Sequence, residues 1–330
     1  MRYKSVVVTK KGGPEVLQVV ENELRSPARN EARIKVLAAG VGRTDINYRY
    51  GLSPLAPRIP FVPGYQMTGI VDAVGAGVTK VAVGDHVAAL IGHGGYSEMI
   101  YLGQEHLAPV PPSLDPAEVV TVVLNYVSAY QMLRRAAKVK AGDRVLIHGA
   151  SGGMGTALLE LGKMTGLKMY GTASKNKHDV LKVFGATPLD YRDDFIEAIR
   201  QAEPNGLDFV FEGMGGDEVD RVLPLLRDGG KLVAYAAPTG LLSMIRDFSN
   251  LIKINHLSRG RKAEFYGITV RYMQDKDPFM EDLSTLLTWV GEGRIKPVIA
   301  AKFQLLEARR ANELLENGQV TGNLVLLSSG

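Results

Sequence analysis

Two hydrophobic rhythms divide this chain. From Met1 to about Pro112, short apolar segments such as Ala32 to Val41, Gly69 to Val74 and Asp85 to Leu90 are punctuated by Gly and Pro, which predicts short strands in a mostly β region. From about Asp143 the period changes. Apolar runs Arg144 to His148, Lys168 to Thr172, Asp208 to Phe211 and Lys231 to Tyr235 alternate with segments of helical period, Met154 to Thr165, Lys175 to Phe184, Asp193 to Ala202 and Asp217 to Leu226. That succession predicts an α/β fold, a doubly wound parallel sheet covered by helices on both faces. Pro116 to Ala137 reads as helical and would carry the chain between the two regions. Beyond Phe265 the pattern is mixed, ending in the apolar strand Gly322 to Leu327. No internal repeat interrupts this order.

Composition narrows the partners. With 330 residues, 45% hydrophobic and 22% charged, the chain has apolar mass for more than one core, and two domains are expected. The formal charge of +4 comes from 39 basic against 35 acidic residues. Without a basic run it points to an anionic small ligand and away from nucleic acid. No stretch of about 18 apolar residues predicts a membrane span, and Met1 to Gly12 alternates as a strand without a signal-peptide core, so a cytoplasmic protein is expected. Cysteine is absent, which excludes disulfides, thiolate nucleophiles and cysteine-held zinc. The six histidines (His86, His93, His106, His148, His178, His256) include no His-x-x-x-His or Glu-x-x-His pair, and each is read as a surface or core residue.

The first chemical signal is a turn. Val145-Leu-Ile-His-Gly149 runs into Ala150-Ser-Gly-Gly-Met-Gly155 and then into the helix beginning Thr156-Ala-Leu-Leu. Glycines there let backbone amides approach a pyrophosphate, and the helix N-terminus offers unpaired N–H groups. Strand before, helix after and a βαβ setting identify the turn as a dinucleotide site. An NAD-preferring fold places a carboxylate near the end of the second strand. Tyr170-Gly-Thr-Ala-Ser-Lys-Asn-Lys177 has none before Asp179. Hydroxyl and ammonium groups in that place suit the 2′-phosphate of NADPH, although Ser174 could equally be an ordinary helix cap.

Gly64-Tyr-Gln-Met-Thr-Gly69 resembles the Gly-His-Glu-x-x-Gly signature of zinc alcohol dehydrogenases, with Tyr65 and Gln66 where a histidine ligand and a glutamate would stand. Gly42-Arg-Thr-Asp45 is similar to the Cys-x-Thr-Asp that supplies another ligand, and Gly42 has no side chain to coordinate anything. The string Asp45-x-x-x-Arg49-x-Gly51, Gly94-Gly-Tyr96, Asn125-Tyr-Val-Ser-Ala-Tyr130, Gly171-Thr-Ala-Ser174, Asp190-Tyr191 and Gly322-Asn-Leu-Val-Leu326 resemble the zinc-free branch of the medium-chain dehydrogenases/reductases. That branch holds quinone oxidoreductases, vesicle amine transport protein homologues and polyketide or fatty enoyl reductases.

The resemblance implies a GroES-like, mostly β catalytic domain from residues 1–123 and 267–330, a Rossmann NADPH-binding domain from 124–266, an active site in the cleft and a homodimer. It implies that Ser128 lies near the nicotinamide and that Asn47 and Tyr65 line the substrate site. Ser128, Ser151, Gly152, Gly153, Met154, Gly171, Thr172, Ser174, Lys175, Tyr191, Gly213, Ala236 and Asn323 would then contact the cofactor. Three positions depart from the pattern: Gly42 stands for a common Asn, Asn323 for a basic residue and Met154 for a valine. Asp45 and Arg49 are expected to form a structural pair, and Tyr48 and Tyr50 to be packing or surface residues.

The implied activity is a metal-free hydride transfer from NADPH to a conjugated acceptor, a quinone or an α,β-unsaturated carbonyl. An enoyl-thioester reductase and a catalytically silent NADPH-binding protein are the alternatives. Tyr272-Met-Gln-Asp-Lys276 matches the Tyr-x-x-x-Lys of short-chain dehydrogenases, but that fold begins at its nucleotide turn and would leave the first 140 or so residues unexplained. Pro238 to Lys262, with Arg246, Lys253, Arg259, Arg261 and Lys262, reads as a solvated amphipathic helix or as a lid favouring an anionic substrate.

Overall fold

The computed structural model describes residues 1–235, 240–257 and 260–328. The chain forms two compact units, Met1–Val127 with Tyr272–Gly330, and Ser128–Arg271.

The first unit opens with an antiparallel ribbon, β1 (Arg2–Val8) on β2 (Leu17–Glu23), followed by β3 (Glu31–Val41), the most heavily paired strand of its sheet. The helix α1 (Arg43–Tyr50) leads to β4 (Gln66–Val74), β5 (His86–Leu90), β6 (Met99–Gly103) and β7 (Ala108–Pro109). Alternation along β3 and β4 sends Ile34, Val36, Met67 and Val71 into a core with Val87 of β5. Each such side chain contributes about 1.5–3 kcal/mol by burial.

Asp115 then caps α2 (Pro116–Thr121) by accepting from Ala117 N–H at 2.8 Å, with Pro116 at a position that needs no amide partner. The helical path continues to Ala137, as the pattern predicts, but with π turns at Val122–Tyr126 and Met132–Ala137 around α3 (Val127–Gln131). A π turn holds one extra residue and shifts the face that follows it.

The second unit runs β8 (Arg144–His148), α4 (Gly153–Thr165), β9 (Lys168–Ala173), α5 (His178–Val183), β10 (Thr187–Asp190), α6 (Phe195–Ala202), β11 (Leu207–Glu212), α7 (Glu218–Val222), β12 (Leu226–Ala234), α8 (Leu241–Leu257) and β13 (Lys262–Phe265), and α9 (Ile268–Gln274) spans its end at Arg271. All six strands are parallel, in the order β10-β9-β8-β11-β12-β13. Leu146, Val210 and Leu232 pack with Phe195, Ile199 and Leu225 in its core. The order reverses between β8 and β11, and in such sheets ligands bind outside the carboxyl ends of the strands at that point.

Two expected helices are shorter than their patterns. Lys175–Lys177 forms a 3₁₀ turn before α5, and the helix from Asp217 tightens at Leu223–Leu225, where Pro224 lacks an amide. In the basic segment α8 is a helix, but its outer side is not simply polar, since Ile245, Phe248 and Ile252 are exposed. Pro238 and Arg259 lie outside the described residues.

The chain then returns to the first unit through α10 (Asp277–Gly291), β14 (Ile299–Gln304), α11 (Ala308–Glu316) and β15 (Asn323–Leu327). The strand β15 pairs parallel with β14 and antiparallel with β3, completing a seven-stranded sheet.

Candidate active site

In the second unit, β8 ends in Gly149, whose φ of +85° is left-handed. Thr172 on β9 holds the turn twice: Gly149 N–H donates to its Oγ1 and Ala150 N–H to its carbonyl, both at 2.9 Å. The helix α4 starts behind Gly152 with no side chain capping its first turn. A Cβ on Gly155 would stand 2.5 Å from the Ala150 carbonyl, so only glycine lets the helix enter this close. A Cβ on Gly152 would meet nothing nearer than Gly149 O at 3.9 Å, which leaves that face open. Ser151, Gly152, Gly153 and Met154 therefore sit together on one uncapped, partly exposed turn. Gly171 serves packing, since a Cβ there would press on Leu181 and Ala150 at 2.8 and 2.9 Å.

The ends of β9 and β10 lie side by side, with Ala173 opposite Asp190. Ser174 occupies the cap position of the 175–177 turn but its hydroxyl caps nothing, contrary to an ordinary helix-cap role. Lys175 is exposed and its N–H donates to Asp190 at 3.2 Å. Arg192 grips the same carboxylate with two bonds, at 2.9 and 2.7 Å, and holds Asp190 well below the usual carboxylate range. Tyr191 is 47% exposed beside it. No motif in the sequence points to Arg192 or to the placement of Asp190. The pairing of β9 with β10 brings them to Lys175, and spacing along the chain does not reveal it.

At the end of β11, Glu212 is fully buried and accepts from the amides of Met214 and Gly215. Gly213 lies against the Tyr235 ring, where a Cβ would stand 2.3 Å from the hydroxyl. An acid closing an apolar strand just ahead of Gly213 was the overlooked signal. Ala236 is outside the described residues.

Ser128, on α3, is 2% exposed and its Oγ has no hydrogen-bond partner. An orphaned buried hydroxyl costs about 1–3 kcal/mol and calls for an absent partner.

In the first unit, Asp45 is the organising residue. Its carboxylate accepts from Gly42 N–H at 2.9 Å and Gly64 N–H at 2.8 Å, and burial pushes it up to about 6. The expected Asp45–Arg49 pair interacts through charge, the guanidinium favouring the Asp45 carboxylate, but not through a direct bond. Arg49, 1% exposed, bonds to Glu316 of α11 and to the Gly12 carbonyl, because the Asp45 oxygens are already committed to the loop amides. Tyr50 is 39% exposed, as expected of a surface residue. Tyr48 is buried and shares a hydrogen bond with Tyr65, and burial pushes both phenols upward. Asn47 is buried, and no hydrogen bond engages its carboxamide among the described residues.

Asn323 is committed within this unit. Its carboxamide accepts from Asn125 and donates to the Val298 carbonyl, a holding role in β15.

Residues 28–112 match the alcohol dehydrogenase GroES-like domain, and residues 184–326 match the zinc-binding dehydrogenase family. The quinone oxidoreductase of Pongo abelii is 28% identical over 334 residues, covering 98% of this chain and 97% of that protein. The chain thus carries a GroES-like alcohol dehydrogenase domain and a zinc-binding dehydrogenase domain, and it is similar along nearly its whole length to quinone oxidoreductases. Another relative is the synaptic vesicle membrane protein VAT-1 homolog of Danio rerio, 28% identical over 98% of this chain and 70% of that one. The crystal structure of Escherichia coli quinone oxidoreductase complexed with NADPH superposes with a TM-score of 0.88 at 27% identity, covering 98% of this chain and 99% of that one.

Zinc appears in the name of one matching family model, but where the zinc-ligand motifs would stand this chain carries Gly42, Tyr65 and Gln66. Gln66 lies against Gly40, where a Cβ would stand 1.9 Å from its amide nitrogen. Among the described residues, no group of three or more His, Cys, Asp or Glu side chains is placed to hold a metal ion. The Tyr272–Lys276 match is not a catalytic pair. The Tyr272 hydroxyl bonds His106 Nδ1 at 3.1 Å, and burial pushes that phenol up to about 12, opposite to what proton transfer near neutrality needs.

Proposed function

We propose that the protein is a zinc-independent, NADPH-dependent oxidoreductase that delivers hydride to a conjugated acceptor, a quinone or an α,β-unsaturated carbonyl. The observation that carries this reading is the uncapped turn at α4 together with Ser174, Lys175, Tyr191 and Arg192 at the neighbouring strand ends. Asp190, the carboxylate that strand pairing brings to Lys175, is neutralised by Arg192, so a 2′-phosphate meets hydroxyls and cations beside it. The E. coli relative complexed with NADPH supports the same cofactor.

NADPH supplies the hydride. The amides of Gly152 and Gly153 would hold its pyrophosphate, Lys175 and Tyr191 its 2′-phosphate, and the Ser128 hydroxyl its nicotinamide amide, which would supply the missing partner. Asn47, Tyr48 and Tyr65 serve the acceptor as neutral donors. Modest donors suffice for a conjugated acceptor, whose developing charge spreads over several atoms, whereas an isolated carbonyl needs a strong electrophile at its oxygen. We read the protein as a cytoplasmic homodimer acting on small molecules.

The test is a screen of NADPH oxidation against quinones, short enones and enoyl thioesters, with metal analysis alongside. Turnover of a conjugated acceptor, unaffected by chelator and without stoichiometric zinc, is expected. Comparable oxidation of isopropanol with NADP, or one tight zinc per chain, overturns the reading. Tight NADPH binding with no acceptor reduced marks a silent binding protein instead.

A further inference from the structure

We infer that His148 is a positioning residue for the pyrophosphate turn, acting through the hydroxyl of Thr172; this rests on reading that turn as the NADPH site. Binding a pyrophosphate on backbone amides does not in itself require an imidazole at the end of β8. Yet His148 is 2% exposed, tilted against the Phe195 ring with centroids 5.4 Å apart, and uses both ring nitrogens. Nδ1 lies 2.7 Å from Thr172 Oγ1 and Nε2 lies 3.0 Å from a Glu218 oxygen.

The Glu218 carboxylate fixes the direction of this relay. A carboxylate can only accept, so a neutral His148 donates to it from Nε2 and has Nδ1 free to accept the Thr172 hydroxyl proton, while Thr172 Oγ1 accepts Gly149 N–H. The imidazole proton is then on Nε2, which donates to Glu218 in the first turn of α7. A neutral ring satisfies every bond, and burial keeps His148 on the neutral side by lowering its pKa. The relay joins the turn after β8, the end of β9 and the start of α7, which lie at the carboxyl ends of three adjacent strands.

Without the acceptor at Nδ1, the Thr172 hydroxyl loses the contact that directs its proton away from Gly149. The amide that holds Gly149 left-handed then lacks a fixed partner, and the turn must be ordered when the ligand arrives.

Three substitutions separate this role from simple packing. His148→Phe keeps the ring beside Phe195 and removes both bonds. Thr172→Val keeps the shape and removes the hydroxyl. His148→Asn returns an acceptor near Nδ1 but not the arm to Glu218. Amide hydrogen exchange at Gly149, measured without cofactor, should accelerate about tenfold in His148→Phe and Thr172→Val, and NADPH Kd by fluorescence should rise roughly three- to tenfold. The double variant should be no worse than either single one, and His148→Asn should stay within about twofold of the parent. With 1,4-benzoquinone as acceptor, the change should fall on KM for NADPH more than on kcat.

Unchanged Gly149 exchange in Thr172→Val, or additive effects in the double variant, overturns the inference even where His148→Phe fails to fold. A parent protein that does not bind NADPH defeats the cofactor reading instead, while the exchange measurement still decides the relay.

Discussion

The helices α1 and α4 each begin behind a glycine and treat their first amides in opposite ways. Before α1, Gly42 N–H donates to Asp45, and the same carboxylate takes Gly64 N–H. Before α4, Gly152 has no capping side chain and open space where its Cβ would be. Both glycines are extended, with φ of −137° and −79°, so backbone strain demands neither of them. What differs is the destination of polar groups. Around Asp45 they are closed onto one another and fix the loops that carry Gly42 and Gly64. In the second unit, at α4 and at Ser128, they are left for something else to complete.

The largest expected effect tests the closed side. The Asp45 carboxyl sits at about 6 when folded against an ordinary 3.8. The folded state therefore holds this proton more tightly than the unfolded chain. The contribution of Asp45 to stability falls as pH rises from about 4 through 6, by up to roughly 3 kcal/mol, and is level above that. Asp208 is the opposite case. Bonded to Arg144 at 2.9 Å and Arg227 at 2.6 Å, it is held well below the usual carboxylate range, so its contribution is present above about 4 and lost as pH falls. Urea unfolding from about pH 2.5 to 7 should give Asp45→Asn and Asp208→Asn difference curves of opposite slope. Parallel curves would mean that the Asp45 charge is not buried as described.

A second prediction moves the lock into the open turn. Gly152→Asp should cap α4, leaving stability unchanged or raised by up to about 1 kcal/mol, while weakening NADPH roughly a hundredfold by setting a carboxylate against the pyrophosphate. Loss of stability and binding together would show that the turn has no room for a cap.

The smallest effect sharpens the cofactor assignment. NADPH should be favoured over NADH by at least roughly tenfold, and Lys175→Ala with Tyr191→Phe should bring the two close to parity in a fluorescence titration. A preference that survives both substitutions would point to Arg192 as the main 2′-phosphate contact.

The sequence made the parallel sheet and the glycine turn legible because both are written locally: Val145 to Gly155 states strand, turn and helix in one run. What stayed hidden depends on neighbours distant in sequence. Arg49 finds Glu316, Asp190 meets Lys175 through strand pairing, and His148 reaches Glu218. Motif spacing among the six histidines tests only for metal ligands, so it passed over a histidine whose partners stand on other elements. The tightening at Pro224 was readable from proline chemistry, yet the apolar periodicity around it outweighed that signal.

The pairing of β15 with β3 sets the timetable of synthesis. Leu324 lies opposite Val41, so a strand made early must wait for all of the second unit before its neighbour exists. The second unit is contiguous in the chain and can finish folding while the Ala38–Val41 end of β3, beyond its pairing with β6, still lacks a neighbour on that edge. A nascent chain stalled between the two events exposes the apolar end of a strand, the kind of intermediate that chaperones hold and that aggregates without them.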